Sequence, residues 1–458
     1  MKQLHYLIIG NGAAGVTAAE TIRRHDPVGE ITVLTAEPYP AYSRPGLAYV
    51  LINEIPDRQI ICRTLDWYKK LRINLVLGKA VKIDVEKKGV GLENAGTERS
   101  RSGRFLSYDR LLIATGARAT PSPYPGGELD GVVYLDTLQG TNDLIKKAKR
   151  AKRAVVIGGG ITAMEMTEGL AHRGVETHYF LRRDRLWSQV FNDAEAALLE
   201  KKMKSHHIHI HYNTEAVEIL GNRRGKVRGV KLKDGSEFKC DLVGMAIGVK
   251  PLIDIVNDTP ITTDRAILVD EYLRTNVPDV FAAGDCAQVF DRWTQKHMVD
   301  ILWPSAVAEG NAAALNMVGK RAAYVKDSPF NACLLFGLHI ATMGQINPRA
   351  ADDENEPQIL QHISRGSSEV WYTHPRPYRS AWAKEGDNTT RLVLSGSRLV
   401  GALVMGEQSL ADPLRYLIEN QVDITGILPE LMTGGDTMRR CLLHYWNHLD
   451  KKSEMEHR

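Results

Sequence analysis

Apolar residues in this chain come in short runs that end at glycine. Leu7-Ile8-Ile9 leads into Gly10-Asn11-Gly12-Ala13-Ala14-Gly15, and Val155-Val156-Ile157 leads into Gly158-Gly159-Gly160-Ile161-Thr162-Ala163. Apolar runs this short, bounded by turn residues, read as buried strands. Helical spacing from Gly15 to about Arg24 separates the first from a second run, Ile31-Thr32-Val33-Leu34. The second glycine segment is followed in the same way by a run at 176–181. The pattern therefore predicts two strand–helix–strand units with parallel pairing. Further buried strands are expected at 111–114, at 241–248 returning toward the first domain, and at 280–283. A helix is expected from near Pro304, where proline takes a first-turn position. Residues 37–46, rich in proline and tyrosine, read as a loop, and glycine and proline between 121 and 127 mark a boundary near 120. From about residue 328 the pattern turns to short alternating strands, such as 390–394 and 399–405, and predicts a mixed α+β domain.

The glycine segments carry the chemistry. The first glycine of such a turn allows a tight bend, the second lets backbone approach a pyrophosphate, and a small third residue lets the helix pack on the strand. The phosphates then meet unpaired N–H groups and the positive end of a helix dipole. Two such turns in one chain predict two dinucleotides, and two dinucleotides side by side imply electron transfer between them. A chain of 458 residues has room for two or three domains. Its formal charge of +4 permits an acidic partner but does not point to nucleic acid. The densest basic run, 146–153, reads as a solvated helix end. The five cysteines, Cys62, Cys240, Cys286, Cys333 and Cys441, share no CxxC spacing, which argues against zinc, an iron–sulfur cluster or a dithiol centre. With no room for a leader before the first strand and no apolar run long enough to span a bilayer, a reducing, cytoplasmic setting is expected.

Together these segments resemble the two-dinucleotide flavoprotein reductases. Gly10, Gly12, Ala14 and Gly15 match that family's FAD fingerprint, and Ala114-Thr115-Gly116 its ATG turn. The segment Thr275-Asn276-Val277-Pro278-Asp279-Val280-Phe281-Ala282-Ala283-Gly284-Asp285 matches its second FAD motif, in which Asp285 accepts a hydrogen bond from a ribityl hydroxyl. Tyr42-Ser43-Arg44-Pro45-Gly46-Leu47 resembles the Y-x-R-P-x-L segment of rubredoxin and ferredoxin reductases, nitrite-reductase flavin domains and apoptosis-inducing-factor relatives. Pro45 stands where the thiol branch carries its redox cysteine, so chemistry through a flavin-adjacent thiol is not expected. The Ser-Lys that often follows the leucine in ferredoxin-reductase relatives is replaced by Ala48-Tyr49.

The resemblance implies an α/β fold with two Rossmann-like dinucleotide-binding domains, the NAD(P) domain inserted in the FAD domain, plus a C-terminal α+β interface domain. The implied boundaries are 1–118 and 247–327 for FAD, 119–246 for NAD(P)H, and 328–458 for an interface or dimerisation domain. It assigns FAD contacts also to Glu37 (ribose), Arg44, Pro45, Val81, Gly284, Trp303 and Ala306, with Trp303 either covering the flavin edge or lying in the core. Gly158, Gly160, Ile161, Thr162 and Gly248 are assigned to the nicotinamide nucleotide. Glu165 is the one catalytic candidate, matching the glutamate that approaches the nicotinamide amide. Arg182 and Arg183 follow the second strand of that unit, where NADH-preferring members carry an acid. Guanidinium groups can bind a 2′-phosphate in a bidentate manner, which favours NADPH without excluding NADH. The implied activity is hydride transfer from NAD(P)H to FAD and then electron delivery to a small, acidic electron-carrier protein or a redox partner subunit. The alternatives are an oxidase or diaphorase using oxygen or quinone, and a structural or assembly subunit carrying flavin. An aromatic and basic cluster, Trp371, Tyr372, His374, Pro375, Arg376, Tyr378, Arg379 and Trp382, fits either a partner or homodimer surface or a core. No nucleic-acid partner and no membrane span are expected.

Overall fold

The computed structural model describes residues 3–93, 105–291, 295–346 and 378–456. The chain divides into two compact units, each described by itself: Met1–Thr120 with Asp136–Thr141 and Val249–Lys326, and Pro121–Leu135 with Asn142–Gly248 and Asp327–Arg458.

The first unit is built on a five-stranded parallel sheet, ordered Val280–Ala282, Arg110–Ile113, His5–Ile9, Glu30–Thr35, Ile73–Leu77. Strands covered on both faces need apolar side chains at nearly every position. Leu7, Ile8, Leu111, Leu112 and Ile113 accordingly have no exposure at all. The helices Ala13–His25 and Trp303–Met317 pack against each other with small residues between them. A Cβ on Gly310 would stand 2.3 Å from the Ala14 carbonyl oxygen, so only glycine allows this approach. Thr21 closes the same contact by donating to Asn311 Oδ1 at 2.9 Å. Pro304 lies in the first turn of its helix, as its fixed φ predicts.

The second unit contains another five-stranded parallel sheet, ordered His209–His211, Glu176–Phe180, Arg153–Ile157, Leu242–Met245, Val132–Val133. The strand expected to return toward the first domain is thus placed inside this sheet, between Arg153–Ile157 and Val132–Val133. All four of its residues are buried, as a central strand requires, and the chain reaches the first unit only at Val249. The same unit holds an antiparallel five-stranded sheet, ordered Phe330–Leu335, Leu338–Gly344, Arg398–Met405, Asn388–Ser395, Tyr378–Glu385. Alternating apolar residues on its strands meet the helices Ala411–Glu419 and Gly435–Glu456 in a separate core around Leu392, Leu414, Ile418 and Leu442. The fold is α/β with two Rossmann-like parallel sheets followed by an α+β segment, as the hydrophobic pattern predicts. Among the described residues no helix is long and apolar enough to cross a membrane.

Candidate functional site

In the first unit the glycine turn joins strand His5–Ile9 to helix Ala13–His25 under tight constraint. Gly10 has φ +118°, and a Cβ there would stand 2.0 Å from the Ala114 carbonyl oxygen. A Cβ on Gly15 would stand 2.0 Å from the Gly10 carbonyl oxygen, so helix and turn interlock through two glycines. Gly12 differs, because a Cβ built there meets no atom within 4 Å. It is the N-cap of the helix, and no side chain caps the first-turn N–H groups. Open space in front of uncapped helix donors, with backbone at the surface, fits a pyrophosphate. Asn11 is held beside this turn by Tyr68, whose hydroxyl donates to Asn11 Oδ1 at 2.7 Å and accepts the Ala41 N–H at 3.2 Å.

The remaining flavin candidates gather around the same strand ends. The ATG turn follows Arg110–Ile113, with Ala114 buried, Gly116 at φ +72° and the Thr115 hydroxyl donating to the Leu252 carbonyl at 2.6 Å. Gly284, at φ +79°, brings its backbone against Ala14 and Ala306, whose Cβ atoms would lie 3.2 and 3.6 Å from a Cβ on it. Asp285 is therefore carried on a short turn beside the glycine segment, half-buried and already engaged. The Gly284 N–H donates to Glu309 at 2.7 Å. Glu309 is fully buried, and burial followed by the Asp300 carboxylate pushes its pKa well above the carboxylate range. Asp300 in turn caps the segment before the Trp303 helix, accepting from Leu302 N–H at 3.1 Å and the Ser305 hydroxyl at 2.8 Å, with buried Lys326 3.7 Å away. Trp303 is half-buried and packs on the apolar core of the unit.

Glu37 and Arg44 form a network. Arg44 donates to Glu37 at 3.0 Å and to the Asp136 backbone and carboxylate at 3.0 and 3.3 Å. Tyr42 donates to the other Glu37 oxygen at 2.8 Å and accepts the Leu138 N–H at 3.1 Å. Burial pushes the Tyr42 hydroxyl up to about 12, so it stays a donor at neutral pH. Both carboxylate oxygens of Glu37 are thus in use, with lone pairs left for a further donor. Pro45 precedes the short helix Gly46–Leu51. Val81 is on the strand Ala80–Asp84, 48% exposed. Cys286 is fully buried, its thiol against the Ile113 carbonyl at 3.4 Å and pushed up by burial, which fits a packing role.

The second unit repeats the turn. Gly158, at φ +154°, would put a Cβ 2.1 Å from the Ala246 carbonyl oxygen and 3.1 Å from the Ala163 Cβ. A Cβ on Gly160 meets nothing within 4 Å, and Gly160 is the N-cap of helix Ile161–His172 and makes no side-chain cap bond. Ile161 and Thr162 are buried in that first turn, and Gly248 stands at φ +116° after strand Leu242–Met245. Glu165 is half-buried on the same helix and engaged. Arg182 and Arg183 are exposed immediately after strand Glu176–Phe180. Their loop is pinned by the Thr214 N–H on the Leu181 carbonyl at 2.8 Å and the Asn213 N–H on the Arg183 carbonyl at 3.2 Å. Arg185, next along, is tied to Asp193 at 2.5 Å.

The model of the family "Pyridine nucleotide-disulphide oxidoreductase" matches residues 4–310. The chain belongs to this family. Among its relatives is the nitrite reductase [NAD(P)H] of Bacillus subtilis, 28% identical over 93% of this chain and 48% of that protein. The assimilatory nitrate reductase electron transfer subunit of the same organism is 30% identical over 96% of this chain and 54% of its own length. The chain spans about half the length of these two relatives. Among solved structures of the fold, a NAD-dependent persulfide reductase from A. fulgidus matches with a TM-score of 0.80 and 25% identity, over 98% of this chain and 84% of that one. Family membership accounts for the paired glycine turns. Glu309, Tyr68 and Asp136 were not among the residues singled out from the sequence.

Proposed function

We propose that the chain is an FAD-dependent NAD(P)H oxidoreductase that delivers electrons to a separate redox protein or partner subunit. The observation that carries this reading is the pair of glycine turns, each opening a helix at a glycine N-cap that makes no side-chain cap bond, with free space at Gly12 or Gly160. Residues 1–118 and 247–327 are the proposed FAD domain, 119–246 the proposed NAD(P)H domain, and 328–458 the proposed interface segment. Bound FAD supplies a ring that accepts hydride from NAD(P)H and releases electrons onward.

The protein groups hold and orient. The first-turn N–H groups after Gly12 take the FAD pyrophosphate, Asp285 the ribityl chain, and Glu37 the ribose with whatever lone pairs Tyr42 and Arg44 leave. Those after Gly160 take the second pyrophosphate, Arg182 and Arg183 meet a 2′-phosphate, and Glu165 orients the nicotinamide amide. The N-terminus of the Trp303 helix provides a positive dipole end, which stabilises negative charge. The relative named as an electron transfer subunit supports a macromolecular acceptor, and the net charge of +4 favours an acidic one. A homodimer and a cytoplasmic setting belong to the same proposal; five free cysteines fit a reducing compartment.

The test is anaerobic titration of the yellow, FAD-loaded protein with NADPH and with NADH, following flavin absorbance. Bleaching by either nucleotide is the expected result, with NADPH the more effective, and re-oxidation is then compared between rubredoxin, ferredoxin, quinone and oxygen. A flavin that neither nucleotide bleaches refutes the catalytic reading.

A further inference from the structure

One edge of the parallel sheet in the second unit carries polar aromatic side chains that the reading above does not use. The register sets His178 beside His209, Phe180 beside His211 and Arg153 beside Glu176. Side chains alternate along a strand, so Glu176, His178 and Phe180 share one face, and His209 and His211 extend that face on the edge strand. His178 is buried, stacked on His209 with 4.6 Å between ring centroids, and covered by Phe238 at the same distance. Its Nδ1 lies 2.9 Å from His211 Nε2, and its Nε2 lies 3.0 Å from Glu176 Oε1. The other Glu176 oxygen accepts from Arg153 at 2.9 Å. A Glu176 oxygen and one ring nitrogen each of His178 and His209 all lie within 4.8 Å of one another.

We propose that Glu176, His178 and His209 form a binding site for one divalent cation of the zinc class, with His211 as the positioning partner of His178. Zinc takes imidazole nitrogen and carboxylate oxygen at about 2.0–2.2 Å, which places tetrahedral ligands roughly 3.3–3.5 Å apart. Small side-chain movements bring the three donors to that spacing: the Glu176–His178 pair opens slightly and His209 closes in. The cation takes the place of the single proton that neutral His178 holds on Nε2 toward Glu176, and that proton leaves to solvent. His178 Nδ1 takes the proton of His211 Nε2, which His211 replaces from solvent at its own Nδ1, so no net proton is released. His178 then donates Nδ1–H to His211 Nε2, the outer hydrogen bond that fixes a ligating imidazole in one tautomer. Arg153 keeps the second carboxylate oxygen. Glu176 and His209 are exposed, which leaves an entry path and room for water as a fourth ligand. Two imidazoles with one carboxylate select zinc, nickel or copper over calcium and magnesium.

The site spans two neighbouring strands of one sheet, so binding links the edge strand His209–His211 to Glu176–Phe180. The test is calorimetric titration of chelator-treated, FAD-loaded protein with zinc chloride, beside His209→Gln and Glu176→Gln. The expected result is one zinc per chain, at least about tenfold weaker in both variants, with His211→Phe weakening binding by about 10–100-fold through its outer contact. The metal-free melting temperature of His209→Gln should match the parent, because His209 is exposed, so this variant decides if Glu176→Gln folds poorly. Absence of zinc uptake by the parent, or a loss under tenfold in a well-folded His209→Gln, overturns the proposal.

Discussion

Glu309 offers a pH-dependent test of how the second flavin motif is held. Its side chain is 1% exposed and accepts the Gly284 N–H at 2.7 Å. Burial is the largest cause of its raised pKa, the Asp300 and Asp285 carboxylates add to it, and Gly284 and Lys326 oppose it. A carboxyl raised in the fold is protonated there at pH values where the unfolded chain has already released its proton. The native state then binds more protons than the unfolded one, so stability falls as pH rises above the unfolded value of about 4.3, until the folded pKa is reached. The slope in that window is about 1.4 kcal/mol per pH unit. Glu309→Gln keeps an oxygen for Gly284 but cannot ionise, so it removes this slope and no other. For each pH unit between the unfolded value and the raised folded one the variant should gain up to about 1.4 kcal/mol on the parent, roughly 3–5 °C in melting temperature for a unit of 150–250 residues. Differential scanning calorimetry of both FAD-loaded proteins across that range is the assay. Parallel melting curves would refute the reasoning and mean that Glu309 is ionised in the fold, balanced by Lys326.

Asp285→Ala should weaken FAD retention by on the order of 10–100-fold, the loss of a hydrogen bond to a charged acceptor worth about 1.5–3 kcal/mol; a variant that elutes from gel filtration fully flavinated counts against the assignment. Gly160→Ala should leave the unfolding free energy within about 0.5 kcal/mol of the parent, since its Cβ meets nothing within 4 Å, yet raise the NAD(P)H KM with FAD content unchanged. Gly158→Ala, with a Cβ 2.1 Å from a carbonyl oxygen, should instead lower the melting temperature; equal behaviour of the two would undo the distinction between a packing glycine and a ligand-facing one. Changing Arg182 to Glu together with Arg183 to Ala should raise the NADPH KM far more than the NADH KM, and an equal rise for both removes the argument for a 2′-phosphate contact.

Much of the fold was readable before any coordinates because its determinants are local. A strand, a glycine turn and a helix start lie within ten residues of one another, and the steric demands on Gly10, Gly15 and Gly158 are visible as residue type. The two βαβ units and the helix opening at Trp303–Pro304 follow from that logic, and apolar runs flanked by glycine signal parallel, doubly covered strands. Of the aromatic cluster near residue 375, Trp371, Tyr372, His374, Pro375 and Arg376 lie outside the described residues; Trp382 is 37% exposed on its strand.

What sequence did not show depends on strand order and register, which bring together residues far apart in the chain. The strand Leu242–Met245 joins the second sheet because its four buried residues fill a central slot there, a placement that its apolar composition alone does not specify. Glu37 reads as a loop acid, yet Arg44 and Tyr42 hold it, and Arg44 in turn reaches Asp136. Glu309 looks like an ordinary helix residue until the helix packs it beneath Gly284. The three histidines of the second sheet are scattered over 34 positions and acquire a shared face only through the pairing of His178 with His209. Residue type and spacing determined where backbone meets phosphate; only the tertiary structure decided which charged and polar side chains meet each other, because those contacts are made across strands and not along them.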